Sequence, residues 1–172
     1  AEEYKQVLSS VQEDVQQMRQ LTKSLLEIAK TGSQGGIELN EVRVDEVLLK
    51  VTADVKRLSP EYKVELNFGE FPEEEKDCVV FGNSELLYIA IKNIVENGCK
   101  YSSDKTSVVD LSFSAHKLFV EVVNQGDVIA AEEIQQIFQP FYRGSGTGST
   151  RGFGLGLALA QRIIALHKGF IQ

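Results

Sequence analysis

Residues 84–102 read SELLYIAIKNIVENGCKYS, and the nature of this stretch decides what the chain folds into. Leu86, Leu87, Ala90, Ile91, Ile94 and Val95 recur at the three- and four-residue steps of a helix with one apolar face. Asn93, Asn97 and Lys100 repeat at the same steps on a polar side. Asn competes for backbone hydrogen bonds, and Gly98 costs a helix about 1 kcal/mol relative to Ala. So unfavourable a stripe needs a compensating contact: a capping or surface role for the amides, or a ligand laid against them.

Upstream, DCVVFG at 77–82 and YKVELNF at 62–68 have the alternation of strands, and the helix between 84 and 102 has Asn83 or Ser84 as its cap. A further helix is expected over 45–58 with Asp45 as N-cap, after a strand-like IELNEVRV at 37–44. Downstream, SVVDLSFS and KLFVEVVN form a hairpin, AEEIQQIF at 131–138 a short helix, and residues 155–167 a final helix. Helices mixed with antiparallel strands give an α+β class, a two-layer α/β sandwich whose sheet is covered on one face by helices.

Residues 3–30 stand apart. Leu8, Val11, Val15, Met18, Leu21, Leu25 and Ile28 approach a heptad pattern, which suits packing on another helix; a terminal helix lying on its own domain is the alternative. TGSQGG at 31–36 ends this unit. The domain reading is therefore a helix over 1–31, a linker over 32–36 and a globular domain over 37–172.

The chain has 172 residues, 42% hydrophobic and 25% charged, with a formal net charge of -7. This balance argues against a duplex nucleic-acid binder, which needs a basic face to neutralise phosphates. Cys78 and Cys99 form no metal-ligand or disulfide pattern, which suits a reducing, cytoplasmic setting. Neither a signal peptide nor a run of roughly 20 apolar residues is visible, so no membrane contact is expected of this piece, although a longer parent could be membrane-anchored.

Six of the 14 glycines fall at 144, 146, 148, 152, 154 and 156, directly before the final helix. Glycines permit close backbone approach, and a helix N-terminus offers free N–H groups to an anion such as phosphate; a flexible linker is the plain alternative. VNQGDVI at 123–129 ends a strand in a polar turn. There Asn124 can accept from an exocyclic amine and donate to a ring nitrogen, while Gly126 lets a flat ligand approach; an ordinary turn explains the same residues.

Taken in order, NIVENGCKYS, VNQGDVI, FQPFYR and GFGLGLALAQRI resemble the N, G1, F and G2 boxes of bacterial sensor histidine kinases. These kinases belong to the ATP-binding superfamily shared with gyrase B, Hsp90 and the MutL mismatch-repair protein. VQQMRQLTKSLLEIAK at 15–30 looks like the second helix of the kinases' dimerisation and phosphotransfer hairpin. The resemblance implies a Bergerat-type ATP-binding fold preceded by a coiled-coil-like helix, and binding of ATP with Mg²⁺. It implies transfer of the γ-phosphoryl to a His and thence to an Asp of a response-regulator receiver domain. It also implies a homodimer formed through the hairpin helices.

By that resemblance Asn97 ligates Mg²⁺, Lys100 reaches the phosphates and Tyr101 lies against the adenine or ribose. Asn124, Gly126 and Ile129 belong to the base end. Gly152, Gly154 and Gly156, with the N–H groups of Leu155 and Leu157, cradle the phosphates. Phe138, Phe141 and Phe153 pin the lid or belong to the core, and Tyr142 counts with the nucleotide contacts. Arg143, and Arg151 in the loop, supply charge neutralisation. Asn93 and Arg143 are the residues assigned to catalysis. ATPases resembling gyrase and Hsp90 carry Glu where Asn93 stands, and an amide cannot be a general base, so bound ATP is expected to survive until a protein nucleophile is presented. Glu96 points about 100° away on the helical wheel and reads as a supporting acid.

The chain departs from the family in two places. The usual D-x-G-x-G is here Asn124-Gln125-Gly126-Asp127-Val128, which keeps an acceptor but loses a charge and a glycine. The only histidines, His116 and His167, lack the setting of a phosphoacceptor. The expectation is a fragment of a larger kinase, without the sheet's last strands and without autophosphorylation of its own. The rivals are a catalytically degenerate dimerising or regulator-binding scaffold and a gyrase-like ATPase.

Overall fold

The computed structural model describes residues 4, 15, 19, 38–74, 78–114, 117–144 and 152–172. The chain divides into two compact units, Ala1–Ile37 and Glu38–Gln172. The coiled-coil-like helix, the linker, His116 and Arg151 fall outside the described residues.

In the second unit the elements are β1 (Asn40–Arg43), α1 (Val44–Leu58), β2 (Lys63–Phe68), β3 (Val79–Gly82), α2 (Ser84–Tyr101), β4 (Thr106–Ser114), β5 (Lys117–Asn124) and α3 (Gly156–Leu166). β1 pairs antiparallel with β3, from Asn40 opposite Gly82 to Arg43 opposite Val79. β2 runs parallel to β4, with Lys63 opposite Thr106, and β4 runs antiparallel to β5, with Ser107 opposite Asn124. The three-stranded sheet is therefore mixed, in the order β2-β4-β5.

Strand alternation fixes which face is covered. Ser107, Val109 and Leu111 of β4 are buried, while Thr106, Val108 and Asp110 between them are not. Val47, Leu48, Val51 and Val55 of α1 and Leu87, Ile91, Val95 and Cys99 of α2 close over that face, joining Val64, Val109 and Leu111 in one core. α3 lies along α2 and buries Leu159, Ala160 and Ile163. Helices on one face of a mixed sheet are the α+β layering expected from the sequence.

The helix that opened the sequence reading begins as anticipated. Asn83 caps it, its Oδ1 accepting from the Leu86 N–H at 3.0 Å. Gly98 is explained by packing rather than chemistry. A Cβ there would stand 2.5 Å from Ser107 Oγ and 3.4 Å from Val122 Cγ1, so the small residue lets α2 settle onto β4 and β5.

Two local expectations are corrected. Asp45 is not the cap of α1: the helix starts at Val44, Arg43 occupies the cap position, and no side-chain cap bond forms. The Arg43 guanidinium instead grips the Asp45 carboxylate at both oxygens, at 2.9 and 2.8 Å, and this hydrogen bonding holds the carboxyl below its usual range. A planar fork matched to a carboxylate is a stronger partner than one backbone N–H, and Asp45 still favours the helix from its first turn. Residues 131–138 do not form an α-helix. They form successive turns ending in a short 3-10 segment, Gln136–Phe138, bonded Gln136 N–H to Glu133 O and Gln139 N–H to Gln136 O. Pro140 follows at once, and so short a segment without a broad apolar face cannot propagate a helix.

Candidate functional site

The C-terminal half of α2 is the floor of the site. Asn93 donates its amide to the Ile89 carbonyl at 2.9 Å, one turn back, which leaves Oδ1 available. That oxygen faces the start of α3: a Cβ added at Gly156 would stand 2.9 Å from it. Asn97 is half-buried and, among the described residues, its side chain makes no hydrogen bond. Glu96 is held by Lys92 at 2.6 Å.

Lys100 Nζ lies 5.1 Å from the Tyr101 ring centroid, and a Cβ on Gly152 would stand 2.8 Å from the same nitrogen. Burial, then the positive charge of Arg143, lowers the Lys100 pKa below 10.5. The Tyr101 phenol is raised by burial, with Arg143 opposing. Lys100, Tyr101 and Arg143 thus share one neighbourhood, in which the Glu96 charge partly offsets the effect of Arg143 on Lys100.

The glycines before α3 have backbone reasons to be glycine. Gly152 and Gly154 have φ of 141° and 69°, and a side chain on Gly154 would collide with the Tyr142 carbonyl. The Phe141 N–H donates to the Gly154 carbonyl at 2.9 Å, which ties FQPFYR to the glycine segment. Phe141 itself holds a φ of 67°, unusual for a bulky residue, and is 73% exposed. It therefore does not pin into the core here, whereas Phe138 and Phe153 are half-buried. The Tyr142 hydroxyl donates to Glu133 Oε1 at 3.0 Å. Burial first, and the Glu133 bond second, push that phenol's pKa up. Leu155 and Leu157, both half-buried, flank Gly156 at the α3 N-terminus.

A separate cleft of about 450 Å³ opens between the end of α2 and the turn after β5, lined by Tyr101, Ser103, Gln125, Gly126 and Asp127. The Ser103 N–H donates to the Gln125 carbonyl at 2.6 Å, and any Cβ on Gly126 would strike the Tyr101 carbonyl, so the two walls are tightly joined. Of the residues anticipated at the base end, Tyr101 and Gly126 line this cleft. Asn124 is exposed and not among its lining residues, Ile129 is 48% exposed and Val128 95%. Ser103, Gln125 and Asp127 were not anticipated. The turn signal at Asn124-Gln125-Gly126-Asp127 was visible, but which of its side chains faces the cleft is set by the fit of the turn against α2.

The geometry fits a phosphorylated ligand: a glycine segment, at Gly154 too tight for any side chain, runs against the polar stripe of α2 beside Lys100 and Arg143. Among the described residues no group of three or more His, Cys, Asp or Glu could hold a metal ion, so a divalent cation would rely on Asn97 together with ligand oxygens. No helix among these residues is long and apolar enough to cross a membrane.

Residues 82–172 match the family described as histidine kinase-, DNA gyrase B- and HSP90-like ATPase. The chain is 31% identical to the heme sensor protein HssS of Staphylococcus epidermidis, over 99% of this chain and 37% of that protein. It is 25% identical to the sensor histidine kinase CpxA of Escherichia coli, over 96% of this chain and 36% of that one. It thus spans little more than a third of either relative. The fold is similar to that of the Acinetobacter baumannii histidine kinase AdeS, with a TM-score of 0.68 at 20% identity, covering 96% of this chain and 75% of that one.

Proposed function

This chain belongs to the family of histidine kinase-, DNA gyrase B- and HSP90-like ATPases, and on that premise we propose that it is the ATP-binding catalytic part of a sensor histidine kinase. In the parent protein it presents the γ-phosphoryl of ATP to a His, from which an Asp of a response-regulator receiver domain takes it. The observation that carries this reading is the packing of Gly156 on Asn93 and of Gly152 on Lys100, which sets the glycine segment directly over the polar stripe of α2.

Each residue has a role that its chemistry allows. The N–H groups around Leu155 and Leu157, at the positive end of α3, hold phosphate oxygens. Lys100 and Arg143 neutralise them. Asn97 offers a neutral hard oxygen to Mg²⁺. When bound, Mg-ATP supplies the group to be transferred, and the protein's contribution is positioning and charge stabilisation. Asn93 holds its amide against Ile89 and cannot take a proton from water, so the nucleotide is kept rather than hydrolysed.

The acceptor comes from outside this chain. His167 has both ring nitrogens engaged, Nδ1 with the Ile163 carbonyl at 2.7 Å and Nε2 accepting from the Asn83 N–H at 2.9 Å. The heptad-patterned segment over 1–31 supplies dimer contacts with a second copy in the parent, and the domain works on the cytoplasmic side of a membrane-anchored sensor. Incubation with γ-labelled ATP tests the reading: no stable label on this chain and no steady phosphate release are expected. Release that disappears in Asn93→Ala would instead make the protein a gyrase-like ATPase.

A further inference from the structure

α2 begins with only half of a capping box. The Asn83 side chain accepts from the Leu86 N–H at 3.0 Å. The box's return bond would run from the cap's own N–H to a side chain at the third helical position, but Leu86 occupies that position and is buried and apolar. The Asn83 N–H donates instead to His167 Nε2 at 2.9 Å, an acceptor brought from the C-terminal cap of α3.

That bond fixes the state of the ring. A backbone N–H can only donate, so Nε2 carries the lone pair and the proton sits on Nδ1, which donates to the Ile163 carbonyl of α3 at 2.7 Å. The imidazole thereby clamps the last turn of α3 to the first of α2. Gly82 makes room for it: a Cβ there would strike Cδ2 of the ring and stand 2.9 Å from Nε2.

The same two helices carry the site. α2 presents Asn93, Asn97 and Lys100, and α3 begins at Gly156, where a Cβ would stand 2.9 Å from Asn93 Oδ1. Between its ends α3 buries Leu159, Ala160 and Ile163. Apolar burial is non-directional and tolerates sliding along the helix axis, whereas a hydrogen bond weakens steeply as its angle opens. We propose that His167 is a positioning residue of the nucleotide site: by accepting from the cap of α2 it holds α3 in the register that brings the N–H groups around Leu155 and Leu157 to the phosphates, without touching the ligand itself. This rests on the nucleotide reading above.

Two readouts test it. Nitrogen-15 spectra of the ligand-free chain should show the Nδ1–H tautomer of His167 and a scalar coupling across the bond from the Asn83 N–H to Nε2; in His167→Ala the amide resonances of Leu155 and Leu157 should shift. Calorimetric titration with Mg²⁺ and a non-hydrolysable ATP analogue, well below each variant's melting temperature, should find His167→Ala weaker by roughly threefold to tenfold, the worth of a neutral hydrogen bond. Gly82→Ala, which displaces the ring, should lose about as much, and should lose nothing further when combined with His167→Ala. His167→Gln, which keeps an acceptor at the reach of Nε2, should recover most of the affinity. Lower melting temperatures with unchanged affinity, losses that simply add, or no recovery in the Gln variant overturn the proposal and leave His167 a brace for stability alone. Failure of the wild-type chain to bind the analogue would instead overturn the nucleotide reading, and the Leu155 and Leu157 amide shifts then decide whether His167 sets the register of α3.

Discussion

The two ends of the site are built by different means. The end proposed for phosphate sets one helix face against glycines: Gly152 and Gly154 hold positive φ, a Cβ on Gly154 would collide with backbone, and Gly156 abuts Asn93. The base end is an open cleft lined by a turn, where Asp127 and Gln125 stand at the surface and are bound to little else. Backbone geometry constrains the first, so its sequence is legible and hard to change. The second is joined by the bond from the Ser103 N–H to the Gln125 carbonyl and by Gly126, where any Cβ would strike the Tyr101 carbonyl, while the side chains of the turn stay exposed.

Substitutions can break this contrast. The largest effect is expected from Gly154→Ala, which forces φ of 69° on a residue with a side chain and drives its Cβ into the Tyr142 carbonyl. A loss of about 2–4 kcal/mol in affinity for an ATP analogue follows, read by calorimetry, with a smaller fall in melting temperature. Asn97→Ala comes next: Mg²⁺-dependent affinity should drop by about tenfold or more, while binding without Mg²⁺ changes little. Unchanged affinity with Mg²⁺ would remove Asn97 from the metal site.

Lys100 gives an effect that pH can resolve. Its pKa lies below 10.5 because of burial and then Arg143, and only its charged form neutralises phosphate. Affinity should therefore hold at neutral pH and decline as pH rises through that lowered value, whereas Lys100→Met should be weaker by several-fold and lack this decline. Since bound phosphate favours the ammonium, binding takes up protons in that alkaline window, an uptake that calorimetry in buffers of different ionisation heat detects.

The smallest effect belongs to the floor itself. Gly98→Ala places a methyl group against Ser107 Oγ, a buried hydroxyl with no hydrogen-bond partner among the described residues. A destabilisation of about 1 kcal/mol is expected despite Ala's better helix propensity, and Ser107→Ala should relieve most of it. If Gly98→Ala stabilises the protein by itself, close packing is not what keeps glycine in α2.

What the sequence discloses follows the range of the interaction. Local periodicity was enough for α1, α2, the β4–β5 hairpin and α3, whose last helix runs over Gly156–Leu166 against an expectation of 155–167. The parallel pairing of β2 with β4 and the joining of β1 to β3 were out of reach, because each depends on partners tens of residues away. The same holds for the His167 ring braced against the cap of α2 and colliding with any side chain on Gly82. The Asp45 cap failed on a competition that spacing does not show, between one backbone donor and the neighbouring Arg43 fork. The glycine segment and the Asn stripe stood out in the sequence because glycine and Asn are poor helix residues, and the structure sets Gly156 against Asn93 and Gly152 against Lys100. The lining of the cleft was not legible, because which residues of the turn face it depends on how the turn sits against Tyr101.

On this reading the stripe Asn93-Asn97-Lys100 and the glycine segment over it form a nucleotide-binding floor. Calorimetric titration of the chain with a non-hydrolysable ATP analogue, with and without Mg²⁺, tests it most directly. The expected result is one-to-one binding strengthened by Mg²⁺. The absence of binding under both conditions would contradict it and leave a dimerising or regulator-binding scaffold.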